Sequence, residues 1–134
     1  MRTIHCSIVV LMATVLVAST FAAAAGLCDL HKDLDIRQSL GEPQGDGSDE
    51  YRVDVVNQCT GDERTGRPCA ISKIHLRCGN FRSLIPVDPK LLRVVHPGVC
   101  LLNNGHTIRQ NSNVSFVYTS YVRNGFYPLS ATCQ

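Results

Sequence analysis

The sequence predicts an all-β protein: a small disulfide-stapled antiparallel β-sandwich with one short helical segment. Three observations carry this. Apolar residues recur at a spacing of two, and no long stretch repeats at the helical period. Turn-forming Gly, Pro and Asn clusters separate the alternating runs. Six cysteines remain once an N-terminal apolar leader is set aside, an even number that implies disulfides in an oxidising compartment.

The leader comes first in the chain. Arg2 precedes the uncharged run Ser7–Ala25, SIVVLMATVLVASTFAAAA, which ends on Ala23-Ala24-Ala25. A basic start, an apolar centre and a small-residue exit make residues 1–25 a secretory signal peptide. Cys6 and Arg2 leave with it, so 26–134 is expected as a single secreted cysteine-rich β-domain in the extracellular space. Twelve basic residues then face eleven acidic ones. That near-neutral balance argues against a nucleic-acid partner. No second long apolar run follows, so no membrane association is expected after signal removal.

The strands follow in order. Asp33–Ser39 alternates around Leu34 and Ile36. Gly41–Asp49 (GEPQGDGSD) reads as a polar loop. Tyr51–Val55 puts Tyr51, Val53 and Val55 on one face, with Arg52 and Asp54 on the other. Ile74–Cys78 turns Ile74, Leu76 and Cys78 inward, while Lys73, His75 and Arg77 point outward. Val87–Val95 opens on Asp88-Pro89, a helix-capping residue and a favoured first helical residue, and reads as one or two helical turns stopped by His96-Pro97-Gly98. Val99–Leu102 is a short strand running into Asn103-Asn104-Gly105, a hairpin signal because Asn-Gly accepts positive φ. Asn113–Thr119 aligns Val114, Phe116 and Tyr118. Phe126–Cys133 aligns Leu129, Ala131 and Cys133, and Pro128 marks it as an edge strand or a bulge.

A domain of this size has a thin stability margin. Three disulfides at roughly 3 kcal/mol each rival its net stability. Cys28, Cys59, Cys69, Cys78, Cys100 and Cys133 are therefore read as structural. They contain no C-x-x-C, which leaves zinc or redox motifs without support. Of the possible connectivities only Cys59–Cys69 has a local argument, as a clip on the polar loop Thr60–Pro68.

Charge is unevenly spread. Cys28–Asp54 holds eight acids and three bases, whereas Val55–Gln134 holds three acids and nine bases. The asymmetry fits either a two-signed surface for a partner or an acidic segment lying against the basic strands.

No catalytic pattern emerges, and no enzyme is expected. His31, His75, His96 and His106 show no spacing that selects a pair for acid–base work. The chain lacks G-x-S-x-G, H-E-x-x-H and a phosphate-binding Gly-rich loop. Asp29, Asp33 and Asp35 lack the Gly and Glu that complete a calcium loop. No metal and no cofactor is expected. Asn113-Val114-Ser115 is the single N-x-S/T sequon and makes Asn113 the glycosylation candidate.

The run Ile71–Ser83, ISKIHLRCGNFRS, resembles the plant tapetum determinant family of secreted cysteine-rich proteins. Val56-Asn57-Gln58-Cys59, Val87-Asp88-Pro89, Cys100–Gly105 (CLLNNG), Ser115–Tyr118 (SFVY) and Tyr127–Ser130 (YPLS) extend the likeness in order, to the terminal Cys133. The loop Thr60–Pro68 is longer and more charged than the connection expected there. The resemblance implies an extracellular signalling ligand for a leucine-rich-repeat receptor kinase, acting in anther and reproductive cell-fate specification. It also implies that the family's six cysteines are the six named above. A receptor solenoid offers a concave surface on which a rigid β-domain docks at low ordering cost. Arginines and aromatics are the usual anchors, which by residue type singles out Phe81, Arg82, Lys90, Arg93, Tyr121 and Arg123 as receptor-binding candidates. The alternative is a cell-wall carbohydrate-binding β-sandwich module, weakened by the absence of Trp.

Overall fold

The structure is a computed structural model that describes residues 28–134. The leader expected at residues 1–25 lies outside the described residues. A helical turn α1 (Leu30–Asp33) leads into β1 (Leu34–Pro43), β2 (Asp49–Asn57), β3 (Ile71–Gly79), β4 (Leu92–His96), β5 (Gly98–Leu102), β6 (Asn113–Ser120) and β7 (Tyr127–Cys133). They form two antiparallel sheets, in the orders β1-β2-β6 and β4-β5-β3-β7.

The alternation decides which faces meet. From the three-stranded sheet Leu34, Val53, Val55, Phe116 and Tyr118 point inward. From the four-stranded sheet Ile74, Leu76, Cys78, Cys100, Leu102 and Cys133 meet them in one core. Arg52, Lys73 and Arg77, one step along the same strands, face solvent. The period-two pattern thus separates core from surface on both layers.

Three disulfides staple the domain. Cys28–Cys133 ties the first described residue to the last strand, with Cα atoms 6.1 Å apart. Cys59–Cys69 closes the loop after β2, at 5.7 Å. Cys78–Cys100 joins neighbouring β3 and β5 inside the core, at 6.0 Å.

Three local expectations are corrected. The segment Val87–Val95 is a single turn followed by a strand. Asp88 does cap: its carboxylate accepts from the Lys90 N–H at 2.9 Å, and its carbonyl accepts from Leu91 and Leu92. From Leu92 onward, however, the backbone pairs with β5. One capped turn is too short to hold a helix by itself, while a paired strand with Leu92 in the core satisfies the same backbone groups. The short helix lies instead at Leu30–Asp33, capped by the Asp29 carboxylate on the His31 N–H at 3.1 Å.

Asn103-Asn104-Gly105 does turn the chain, with φ of 52°, 54° and 76° in succession. It closes no hairpin, because β5 already has β4 on one side and β3 on the other. The chain leaves the sheet, bridges Ile71 at Ile108 and enters β6 in the opposite layer. The hairpin that does form here joins β4 to β5 through Pro97-Gly98, where Gly98 takes φ 76° as the third residue of a type II turn requires. The polar loop expected over Gly41–Asp49 narrows to residues 44–48, since β1 continues past a bulge to Pro43 and β2 starts at Asp49. Pro128 lies on β7, which is both an edge strand and irregular in register opposite Leu76.

Candidate interaction surface

Two hubs of buried polar side chains position the surface. At the end where β2 finishes, Asn57 is fully buried. Its amide donates to the Cys69 and Ile108 carbonyls, both at 3.0 Å. Its side-chain oxygen accepts from the Cys59 N–H at 2.9 Å. Asn57 therefore joins both cysteines of the clipped loop to the crossing segment between the sheets.

At the opposite end sits an aromatic cluster. The Tyr118 ring stacks on Tyr51 at 5.1 Å and meets Phe81 and Phe126 edge-on at 5.6 and 5.7 Å. Its hydroxyl donates to Gln38 Oε1 at 2.7 Å and accepts from the Asn124 N–H at 2.9 Å. Gln38 Nε2 donates to the Asn124 carbonyl at 2.6 Å, and Asn124 Nδ2 to the Cys78 carbonyl at 3.1 Å. Burial raises the Tyr118 pKa, which keeps the hydroxyl protonated and able to donate.

This network fixes both feet of the turn between β6 and β7 and holds its tip outward. Tyr121 and Val122 there are 59% and 74% exposed. Beside them the segment after β3 lies along the edge of β6: Leu84 N–H donates to the Thr119 carbonyl at 2.8 Å, and Ser83 Oγ accepts from the Thr119 N–H at 3.0 Å. Leu84 and Ile85 are 53% and 56% exposed. Four large apolar side chains on two adjacent segments thus stand in solvent at one end of the sandwich, with exposed Arg82 and Arg123 alongside. Next to them a cleft of about 400 Å³ opens between β1 and the start of β7, lined by Ile36, Gln38, Arg123, Asn124, Phe126 and Tyr127.

The six anchor candidates divide on this geometry. Arg82, Tyr121 and Arg123 belong to the two segments at the apolar end. Phe81 does not stand free: it packs against Tyr118 and Phe126 and covers that cluster from the loop. Lys90 and Arg93 belong to a turn and to β4 rather than to a helix, and lie near the other end, where Arg93 Nη1 donates to Asn104 Oδ1 at 2.5 Å. Asn113 is exposed on the outer side of the edge strand β6 and donates from Nδ2 to Ser115 Oγ at 3.2 Å. The Ser115 hydroxyl in turn donates to the Asp54 carboxylate. That bond, and after it Arg52, holds the Asp54 pKa below the usual carboxylate range.

Leu84, Ile85 and the hubs Asn57, Gln38 and Asn124 were not singled out by the sequence. A signal existed for Asn57, which continues the inward series Val53, Val55 and is polar where the pattern demands an apolar residue. Among the described residues no group of three or more His, Cys, Asp or Glu is placed to hold a metal ion. None of their helices is long and apolar enough to cross a membrane.

A two-sheet, disulfide-stapled β-domain with an exposed apolar end defines a small cysteine-rich β-sandwich protein. The family model described as Tapetum determinant 1, C-terminal, matches residues 30–134, and the chain belongs to the tapetum determinant family. It is similar to the TPD1 protein homolog 1A of Oryza sativa subsp. japonica, 42% identical over 105 residues that cover 75% of this chain and 45% of the relative. To the TPD1 protein homolog 1 of Arabidopsis thaliana it is 33% identical over 99 residues, covering 73% of this chain and 50% of the relative. The chain therefore spans about half the length of these curated relatives. No solved structure matches it.

Proposed function

We propose that this protein is a secreted signalling ligand for a plant leucine-rich-repeat receptor kinase, acting in anther and reproductive cell-fate specification and without catalytic activity. Membership of the tapetum determinant family across residues 30–134 is the observation that carries this reading. On this reading residues 1–25 are removed on export and the folded domain works in the apoplast. Its receptor contact is the apolar end: Leu84, Ile85, Tyr121 and Val122 as the desolvated centre, with Arg82 and Arg123 on the rim. An exposed patch of this composition is what interface cores are made of. The hydrogen-bonded turn that carries Tyr121 limits the ordering cost of docking.

Calorimetric titration of the disulfide-bonded protein against purified leucine-rich-repeat ectodomains tests the proposal. Binding at about micromolar affinity or better is expected. Replacing Tyr121 by Ala should weaken it by about 2 kcal/mol, roughly thirtyfold, with the thermal midpoint unchanged. Silence across the receptor set would overturn the reading. Full affinity in the Tyr121→Ala, Val122→Ser double variant would move the contact elsewhere.

A further inference from the structure

The two sheets differ in charge as well as in strand number. Strands β3, β4, β5 and β7 carry Lys73, Arg77, Arg93, His75 and His96 and not one Asp or Glu. Strands β1, β2 and β6 carry Asp35, Glu42, Asp49, Glu50 and Asp54 against Arg37 and Arg52. Among the described residues both ion pairs, Arg37–Asp35 and Arg52–Asp54, lie within the three-stranded sheet. Among the described residues no ion pair joins the two sheets, so the carboxylates of β1 and β2 do not pair with the cations of β3 and β4. The molecule is two-signed.

The strand register arranges the basic side chains on one outer face. Arg93 stands opposite Leu101, Leu101 opposite His75, and His75 opposite Ser130. In the next row His96 stands opposite Val99, Val99 opposite Arg77, and Arg77 opposite Tyr127. Arg77, Arg93 and His96 are exposed, while Val99 and Leu101 between them are half-buried. The face therefore has dispersed cations and no protruding aliphatic centre of the kind that protein interfaces use. Val94 and Leu129, 51% and 38% exposed, lie on the two edge strands of this sheet, while Leu84, Ile85 and Val122 gather at the end of the molecule. One exposed ring, Tyr127, 64% accessible, adjoins Arg77.

We propose that this outer face of the four-stranded sheet binds an acidic polysaccharide, a polyuronate whose carboxylates repeat along an extended chain. Carboxylates engage Arg77 and Arg93 through charge-assisted hydrogen bonds, and Tyr127 offers a flat apolar surface to a sugar ring. The charge contacts supply affinity and the Tyr127 ring supplies the preference for a sugar, so the absence of a Trp platform does not oppose it. The site is separate from the apolar end assigned above to the receptor and stands without that assignment.

Affinity electrophoresis of the disulfide-bonded protein through gels containing polygalacturonate tests the proposal, with fully methyl-esterified polygalacturonate and polyglutamate as comparison polymers. The protein should be retarded by polygalacturonate, with retardation fading as salt rises, and pass freely through the ester and nearly freely through polyglutamate. The Arg77→Glu, Arg93→Glu variant should bind about tenfold more weakly or worse, given two lost attractions and two new repulsions. Arg64→Glu, Arg67→Glu makes the same charge change in the loop closed by Cys59–Cys69 and should cost less than about threefold, through the long-range field alone. Should the reversal variant fail to fold, Arg77→Gln, Arg93→Gln carries the same comparison. No retardation of the unaltered protein, or equal loss in the two variant pairs, overturns the site. Equal retardation by polyglutamate overturns the polysaccharide in favour of an acidic protein. Tyr121→Ala should bind polygalacturonate normally, which separates failure of this proposal from failure of the receptor reading.

Discussion

At Asn57 a polar side chain occupies a position that the strand pattern reserves for an apolar one, and the structure shows why it is tolerated. Each of its polar atoms has a partner, so burial leaves nothing unsatisfied. Asn57→Ala would orphan the Cys59 N–H and remove a partner from the Cys69 carbonyl, with an expected loss of about 3 kcal/mol measurable by chemical denaturation. Replacement of an exposed residue such as Gln58 should stay within about 0.5 kcal/mol. Asp54 makes a second residue-level case. Its carboxylate is held in the charged form chiefly by the Ser115 hydroxyl. A group whose folded pKa is depressed contributes stability in full above its unfolded pKa and loses it as pH falls through the lowered folded value. Ser115→Ala should therefore move the Asp54 midpoint upward, toward the ordinary carboxylate value, when followed by carboxyl NMR. The acid-side loss of stability should shift to higher pH with it. An unmoved midpoint would show that Arg52 dominates. The alternation marks Asn57 as unusual, but its partners and the Ser115–Asp54 bond depend on residues brought together only by the fold.

Among the elements, strands whose faces differ in polarity fold as their alternation predicts, because a one-residue shift would expose every core side chain. β2, β3 and β6 are of this kind, and Val53, Ile74 and Phe116 are buried as their alternation requires. The segments that depart from their local pattern are those whose signal is real but short. Asp88-Pro89 caps a turn that pairing with β5 then extends as a strand, and Asn103-Asn104-Gly105 turns a chain that finds no free edge beside it. Where an element ends is thus set by neighbours that sequence spacing does not reveal. The turn Tyr121–Gly125 is an element held by side chains rather than by backbone pairing. Tyr118→Phe removes the hydroxyl between Gln38 and Asn124 and should cost about 1–2 kcal/mol. Amide exchange should accelerate in residues 121–125 while β2 and β3 stay protected. Uniform acceleration across all strands would contradict a local role for this network.

For the molecule as a whole, the three staples differ in how much chain they enclose, with separations of 105, 22 and 10 residues. Loop-closure entropy ranks their contributions at about 4.8, 3.4 and 2.7 kcal/mol. Paired Cys→Ala variants at Cys28/Cys133 should thus lose more than those at Cys59/Cys69, read as denaturation midpoints at unchanged slope. At Cys78/Cys100 both residues are fully buried, and a cavity cost adds to the entropic one. The reverse order between the first two pairs would indicate residual structure in the unfolded chain around Cys28. Periodicity, cysteine number and ordered motifs within the chain suffice for the layer architecture, the inward faces of β2, β3 and β6, the disulfide class and the family, but not for β7, where Leu129 is exposed. The tertiary structure was needed to settle how the four cysteines other than Cys59 and Cys69 pair, which of the candidate anchors share an end, that Phe81 is packing rather than surface, and that acidic and basic strands lie in separate sheets. Those facts are distances between residues far apart in sequence, fixed only when two twisted sheets close over one core and each strand edge finds or lacks a neighbour.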